Sequence, residues 1–80
     1  MDFQQGQIVK AKAGRDKDGF FVILRLDGKY AYIADGRRRK IDLPKKKKLI
    51  HLVPTATVVQ DYRTNREIIR ILSAFREKSL

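Results

Sequence analysis

The sequence predicts a mainly β fold: a small barrel of five short strands with a short amphipathic helix at the C-terminal end. Three observations lead there. Apolar, β-branched and aromatic runs of strand length recur through residues 6–53, separated by glycine-bearing turns. Beyond Thr64 the apolar spacing switches to the helical period. The chain has 80 residues, enough for one thin-cored domain, since a chain this small buries only about 60% of the surface it exposes when unfolded. Strands this few and short cannot build two packed sheets, so one closed or nearly closed barrel is the arrangement that covers them.

The first strand falls in residues 6–12, where Ile8 is offset from Val9 and small alanines follow at Ala11 and Ala13. Residues 14–19 run from Gly14 through Arg15, Asp16, Lys17 and Asp18 to Gly19 and form a turn-rich loop. Residues 20–26 are the strongest strand. Strict alternation puts Phe20, Val22, Leu24 and Leu26 on one face and Phe21, Ile23 and Arg25 on the other, and both faces need cover. Asp27-Gly28 has the form of a type I′ hairpin turn, which needs positive φ at both central positions. The return strand is residues 29–34. Asp35-Gly36 repeats the turn chemistry and leads into a fourth strand over residues 37–43. Pro44 and a lysine run follow, then a fifth strand around residues 49–53 that Pro54 stops.

The tail reads differently. Thr64 and Glu67 have capping-box spacing. Ile68, Ile71, Leu72 and Phe75 line one helix face with Ile69 at its edge, and Arg63, Arg66 and Arg70 lie opposite. A helix this short is marginal alone, so its apolar face is expected on the barrel, over Phe21 and Ile23. Residues 1–57 make the barrel and residues 58–80 the connection and helix, within one structural domain; Val58 and Val59 are placed to extend the sheet.

Charge is the dominant compositional feature. Lysine and arginine number 19 against 9 acids, a formal charge of +10. Self-repulsion of that size destabilises a compact domain and points to a polyanionic partner: RNA, DNA or anionic lipid. The same composition argues against other classes. There is no cysteine and one histidine, His51, so a disulfide framework is excluded and a protein-only zinc site has too few donors. His51 lies in an apolar run and reads as structural. No nucleophile and base are paired, and neither a GxxxxGKS nor a GxGxxG loop is present. Asp16, Asp18, Asp27 and Asp35 stand in glycine-bearing turns, where structural aspartates belong. An enzyme is therefore not expected, nor is a catalytic residue, metal, cofactor or small-molecule substrate. The N-terminal residues lack the basic and apolar regions of a signal peptide, and the apolar runs are far shorter than the roughly 20 residues needed to cross a bilayer. A soluble, cytoplasmic monomer is the expectation.

Residues 6–23, from Gly6-Gln7-Ile8-Val9-Lys10 through Gly14 to Phe20-Phe21-Val22-Ile23, resemble a KOW motif: strand, loop with a central glycine, strand. Two later segments extend the likeness, Ala34-Asp35-Gly36-Arg37-Arg38-Arg39-Lys40 and Pro44-Lys45-Lys46-Lys47-Lys48-Leu49-Ile50-His51-Leu52. Together they resemble KOW proteins related to large-subunit ribosomal proteins of the archaeal and eukaryotic fourteen-e kind. The resemblance covers residues 6–54, and the short ends are more like the stand-alone bacterial members. It implies an SH3-like barrel and RNA binding, with a role in translation or ribosome assembly.

The residues supply their own argument. Arg37, Arg38, Arg39 and Lys40 and then Lys45, Lys46, Lys47 and Lys48 flank the turn at Asp42-Leu43-Pro44. With the first run as a strand and the second as the following loop, they approach each other and form a continuous cationic edge. Arginine forks bind phosphate bidentately and lysines act as point charges; the bland reading is a solvated surface, and a nuclear address is a third. Arg15 and Lys17 fall in the loop that in the KOW family resembles an RNA-contacting element. The alternative there is that Asp16 and Asp18 shape the turn while the cations face water, with Gly14 serving the backbone. Tyr30 and Tyr32 share a strand face and either stack on unpaired bases or pack across strands. The Arg63, Arg66 and Arg70 stripe either extends the cationic surface or is a solvated helix face. The function expected is backbone-dominated, shape-directed binding to structured RNA, ribosomal RNA or ribosomal particles above all. The rival from another class is a protein-interaction module of the NusG-type KOW or SH3-like kind, which would depend on Tyr30 or Tyr32 more than on the lysines. Membrane binding through the polybasic segment is the weakest reading, because no lipidation motif accompanies it.

Overall fold

In the computed structural model, which describes residues 3–78, five strands form one antiparallel sheet. They are β1 (Gln7–Ala11), β2 (Phe20–Asp27), β3 (Tyr30–Ala34), β4 (Lys45–Lys48) and β5 (Leu52–Val58), followed by the helix α1 (Asn65–Lys78). The sheet order is β4-β3-β2-β1-β5, so the fourth and fifth strands occupy opposite edges. Yet only the 3₁₀ turn Leu49–His51 joins them. Flat, those edges would stand about 19 Å apart at the usual strand spacing, whereas three 3₁₀ residues advance only about 6 Å. The sheet therefore curls so that its two edge strands approach each other at that end, giving a small SH3-like barrel. Among the described residues, no helix is long and apolar enough to cross a membrane.

Two apolar clusters divide the two faces of the sheet. Val9, Ala11, Phe21, Ile23, Ala31, Ile33 and Leu52 fill the barrel. Ile8, Val22 and Ala34 point outward and are covered by Ile68 and Leu72 of α1, with Phe20, Ile71 and Phe75 around them. The helix thus lies over the Val22 face of β2, not over Phe21 and Ile23 as the sequence suggested. The reason is volume: the aromatic ring of Phe21 closes the barrel interior, and the outer face is left for the helix. Phe20 and Phe75 meet edge to face at 5.2 Å. The capping box forms in full. The Thr64 amide donates to Glu67 Oε1 (3.0 Å), and the Glu67 amide donates to Thr64 Oγ1 (3.1 Å).

Strict alternation along β2 also fails, at one residue. The pairing steps from Ile23 opposite Ile33 to Arg25 opposite Tyr32, leaving Leu24 as a bulge. A bulge inserts one residue and reverses the phase beyond it. Leu26 therefore pairs with the buried Ala31 on the inner side, at the open end of the barrel where it is 40% exposed. Arg25 moves to the outer face beside Tyr32. The turn that follows is also one residue later than Asp27-Gly28. Asp27 pairs with Tyr30, so the loop residues are Gly28 and Lys29. Gly28 has φ +60°, and Asp18 is the only described non-glycine with positive φ. Positive φ at the first position alone is the type II′ pattern, which glycine supplies without strain.

The second half of the barrel departs most from expectation. Residues 37–43 are not a strand; only an isolated bridge from Lys40 to Leu43 closes a tight turn there. The fourth strand is the lysine run itself. Leu49–His51 is 3₁₀, and β5 begins only at Leu52 and runs through Pro54. Proline is tolerated because β5 is an edge strand and its pairing with β1 is irregular between Gln7 and Val9. Side chains bridge that irregularity: Thr55 Oγ1 donates to the Ile8 carbonyl at 2.7 Å, and Gln7 Nε2 donates to the Thr55 carbonyl at 2.9 Å.

Because Leu72, on the sheet-facing side of α1, is only 1% exposed, Leu72→Ala is expected to cost about 2–5 kcal/mol. Ile50, 70% exposed, is the control, and Ile50→Ala should stay within about 0.5 kcal/mol. Urea unfolding followed by circular dichroism checks both.

Candidate nucleic-acid interface

Four consecutive lysines have little intrinsic preference for a strand; pairing with β3 imposes it. Alternation then sends the side chains to opposite faces. Lys46 and Lys48 lie opposite Tyr32 and Tyr30 on the outer face, while Lys45 and Lys47 lie opposite Ile33 and Ala31. Lys47 is consequently buried, at 8% exposure, and Lys45, Lys46 and Lys48 remain exposed. A charged edge strand of this kind also discourages pairing with other chains.

Burial of Lys47 requires a counter-charge, and Asp16 supplies it. The Asp16 side chain is 3% exposed and lies 3.7 Å from Lys47 Nζ. Lys47 Nζ also donates to the Ala13 carbonyl at 2.8 Å. On its other side Asp16 accepts a bidentate fork from Arg39: Nε to Oδ1 and Nη2 to Oδ2, both 3.1 Å. Burial on its own raises the Asp16 carboxyl pKa. The Arg39 hydrogen bonds and the charges of Arg39, Lys47 and Lys45 outweigh it, so the net shift is downward from 3.8. One carboxylate thereby joins three segments: the loop of residues 14–19, Arg39 of the loop after β3, and Lys47 of β4.

Each loop is shaped locally before it is joined. In residues 14–19 the Lys17 amide donates to Gly14 and the Gly19 amide to Asp16, while Gly14 has φ +78° and Asp18 φ +71°. After β3, Asp35 Oδ1 accepts from the amides of Arg37 and Arg39, each at 2.9 Å. The Asp35 and Gly36 amides donate back to the Arg39 carbonyl. This is a closed side-chain-capped loop rather than a second hairpin turn. It is pressed onto the start of α1. A Cβ on Gly36 (φ +82°) would collide with the Asn65 carbonyl and meet Ile69 Cγ1 at 2.9 Å, so only glycine fits. Asn65 Oδ1 also accepts from the Ile41 amide at 2.8 Å.

The candidate residues therefore separate into groups. Arg15, Lys17, Arg37, Arg38, Lys40 and Lys45 are exposed around the Asp16 junction. The two basic runs do border each other across a turn, with their roles exchanged: the first is loop and turn, the second is strand. Arg39 and Lys47 are engaged internally. Tyr30 and Tyr32 are half-buried on the outer face of β3, where Lys46 Nζ lies 4.7 Å from the Tyr30 ring centre and 5.8 Å from that of Tyr32. Arg25, which alternation had placed on the face of Phe21 and Ile23, lies 3.8 Å over the Tyr32 ring. Only the bulge at Leu24 brings it there, so no periodic signal could have found it. Arg63, just before α1, and Arg66 and Arg70 on it are exposed. His51 is half-buried in the 3₁₀ turn, its carbonyl accepting from the Lys12 amide at 2.9 Å. No family model matches this chain, and no curated protein matches it.

Removing one partner of a buried charge set leaves the rest uncompensated, so Asp16→Asn is expected to cost about 3–5 kcal/mol. Asp16→Asn with Lys47→Met, which removes the carboxylate and the buried ammonium and leaves only the part-exposed Arg39, should recover much of that loss. The pH dependence follows from the lowered pKa. Near pH 3.8 the folded state binds fewer protons at Asp16 than the unfolded state does. The stabilisation is complete above that pH and disappears as pH falls through the lower folded value. Wild type should therefore lose stability below about pH 4 more steeply than Asp16→Asn. Superimposable acid limbs in a plot of urea midpoint against pH would contradict this account.

Proposed function

We propose that this chain is a KOW-type RNA-binding module that grips folded RNA, ribosomal RNA in particular, by its phosphates. The observation that carries this reading is the Asp16 junction. It gathers two basic loops and a lysine strand into one border while using only Arg39 and Lys47 internally. Arg15, Lys17, Arg37, Arg38, Lys40 and Lys45 stay exposed around it. Two cations on one carboxylate leave the junction itself with a net positive charge, so an approaching phosphate meets a surface that is already ordered and favourable. Asp35 and Gly36 fix the arginine loop against α1, which reduces the entropy lost when Arg37 and Arg38 engage a ligand. Phosphate contacts of this kind supply affinity and register but little sequence information, and groove shape and 2′-hydroxyls would favour RNA over DNA. The resemblance of residues 6–54 to KOW proteins of the ribosomal fourteen-e kind supports the same target and a role in translation or ribosome assembly.

Neutralising about six phosphates predicts that log K falls with log salt at a slope of roughly −4 to −5. Arg37→Ala and Arg38→Ala should each flatten the slope by about one. Fluorescence anisotropy with a structured ribosomal RNA fragment measures it, and a wild-type slope shallower than about −2 would refute the electrostatic mechanism. In cell lysate, the protein is expected to cosediment with ribosomal particles at low salt and to leave them on RNase treatment. Retention on a protein partner at high salt would favour the interaction-module reading instead.

A further inference from the structure

We propose that the outer face of β2, β3 and β4 is a stacking site for an unpaired RNA base, with the Arg25 guanidinium as its platform. The proposal rests on the RNA-binding reading and adds a second, chemically distinct surface to the cationic border. Strand register places Arg25, Tyr32 and Lys46 in one row across three neighbouring strands, and Asp27, Tyr30 and Lys48 in the next. The bulge at Leu24 puts Arg25 on this face at all.

The two tyrosines are not themselves open platforms. Arg25 Cζ lies 3.8 Å from the centre of the Tyr32 ring, and Lys46 Nζ lies near both rings. A ligand approaching from solvent thus meets the cations first. Arg25 is exposed, and among the described residues it has no ion-pair partner, whereas Lys46 lies 3.9 Å from Asp27 Oδ2. A guanidinium carbon 3.8 Å from a ring centre is within stacking distance, and an exposed arginine stacked flat on a tyrosine turns its other face to solvent. That geometry suits a planar base, because guanidinium planes and aromatic rings are the groups on which splayed bases stack. It suits a duplex backbone less well. Asp27 lies in the same two-row patch and opposes phosphate there, while its carboxylate is an acceptor for an exocyclic amino group. Lys48, exposed beside Tyr30, is positioned to meet the phosphate of the stacked nucleotide.

The test compares a blunt RNA duplex with the same duplex carrying a short single-stranded bulge, by anisotropy at fixed salt, for wild type, Arg25→Lys and Arg25→Ala. Wild type is expected to prefer the bulged RNA by roughly 5- to 150-fold, the range of one base stacked on a protein platform. Arg25→Lys keeps the charge and loses the plane. It should abolish that preference while leaving duplex affinity, salt slope and circular dichroism unchanged, and Arg25→Ala should do the same. If Arg25→Lys binds both RNAs as wild type does, or weakens both equally, Arg25 is a phosphate contact or a structural group and the stacking site is refuted. Equal wild-type affinity for the two RNAs refutes the site and leaves the phosphate mechanism standing. Failure of wild type to bind either RNA overturns the RNA-binding reading, and this inference with it.

Discussion

The buried Asp16 carboxylate, with Arg39 forked onto one side of it and Lys47 set against the other, is the constraint on which the basic half of this molecule depends. A domain with a formal charge of +10 works against its own repulsion, and a lysine pointing into a thin barrel makes that worse. Desolvation penalises the ammonium, and without an opposite charge beside it that burial would be strongly unfavourable. Asp16 solves this locally. Its two oxygens receive the arginine fork, the lysine takes a carbonyl as well, and among the described residues no buried side-chain polar atom is left without a partner. The same bonds fix where three otherwise independent basic segments stand. Stability and the arrangement of the surface are here one property.

A second set of constraints comes from the helix. It covers Ile8, Val22 and Ala34, which the barrel leaves outside, and its first residue holds the loop of residues 35–41. Gly36 allows the close approach that this requires. The arginine loop is therefore ordered from two directions, by α1 on one side and by Asp16 on the other. A loop held at both ends loses less freedom on meeting a ligand than a flexible basic tail would.

The molecule presents two surfaces of different chemistry. The border around Asp16 carries exposed cations, on which the proposed grip on phosphates relies. The outer face of β3 carries tyrosines overlaid by cations with a carboxylate in the next row, the features on which the proposed base-stacking site rests. They share strand β4, whose alternating lysines face one surface or the other. A single strand of four like residues thus serves the core, the edge and the aromatic face at once.

The local features were legible in the sequence because they follow from short-range rules. The first three strands, the capping box at Thr64 and Glu67, the amphipathic helix and the mainly β class all depend on periodicity and on residues a few positions apart. The concentration of charge in two runs was equally plain. What only the tertiary structure decided is which way those charges face. A lysine run carries no periodicity, so nothing local marks residues 45–48 as a strand or Lys47 as its inward member; the free edge of β3 does that. The bulge at Leu24 arises from pairing with β3 rather than from β2 alone, and it moves Arg25 across the sheet. The pairing of Asp16 with Arg39 spans 23 residues of chain, and a turn aspartate looks the same in sequence whether it faces water or a buried guanidinium. Composition and local periodicity determined that this protein is a basic β domain. Long-range pairing determined which of its cations hold it together and which it presents.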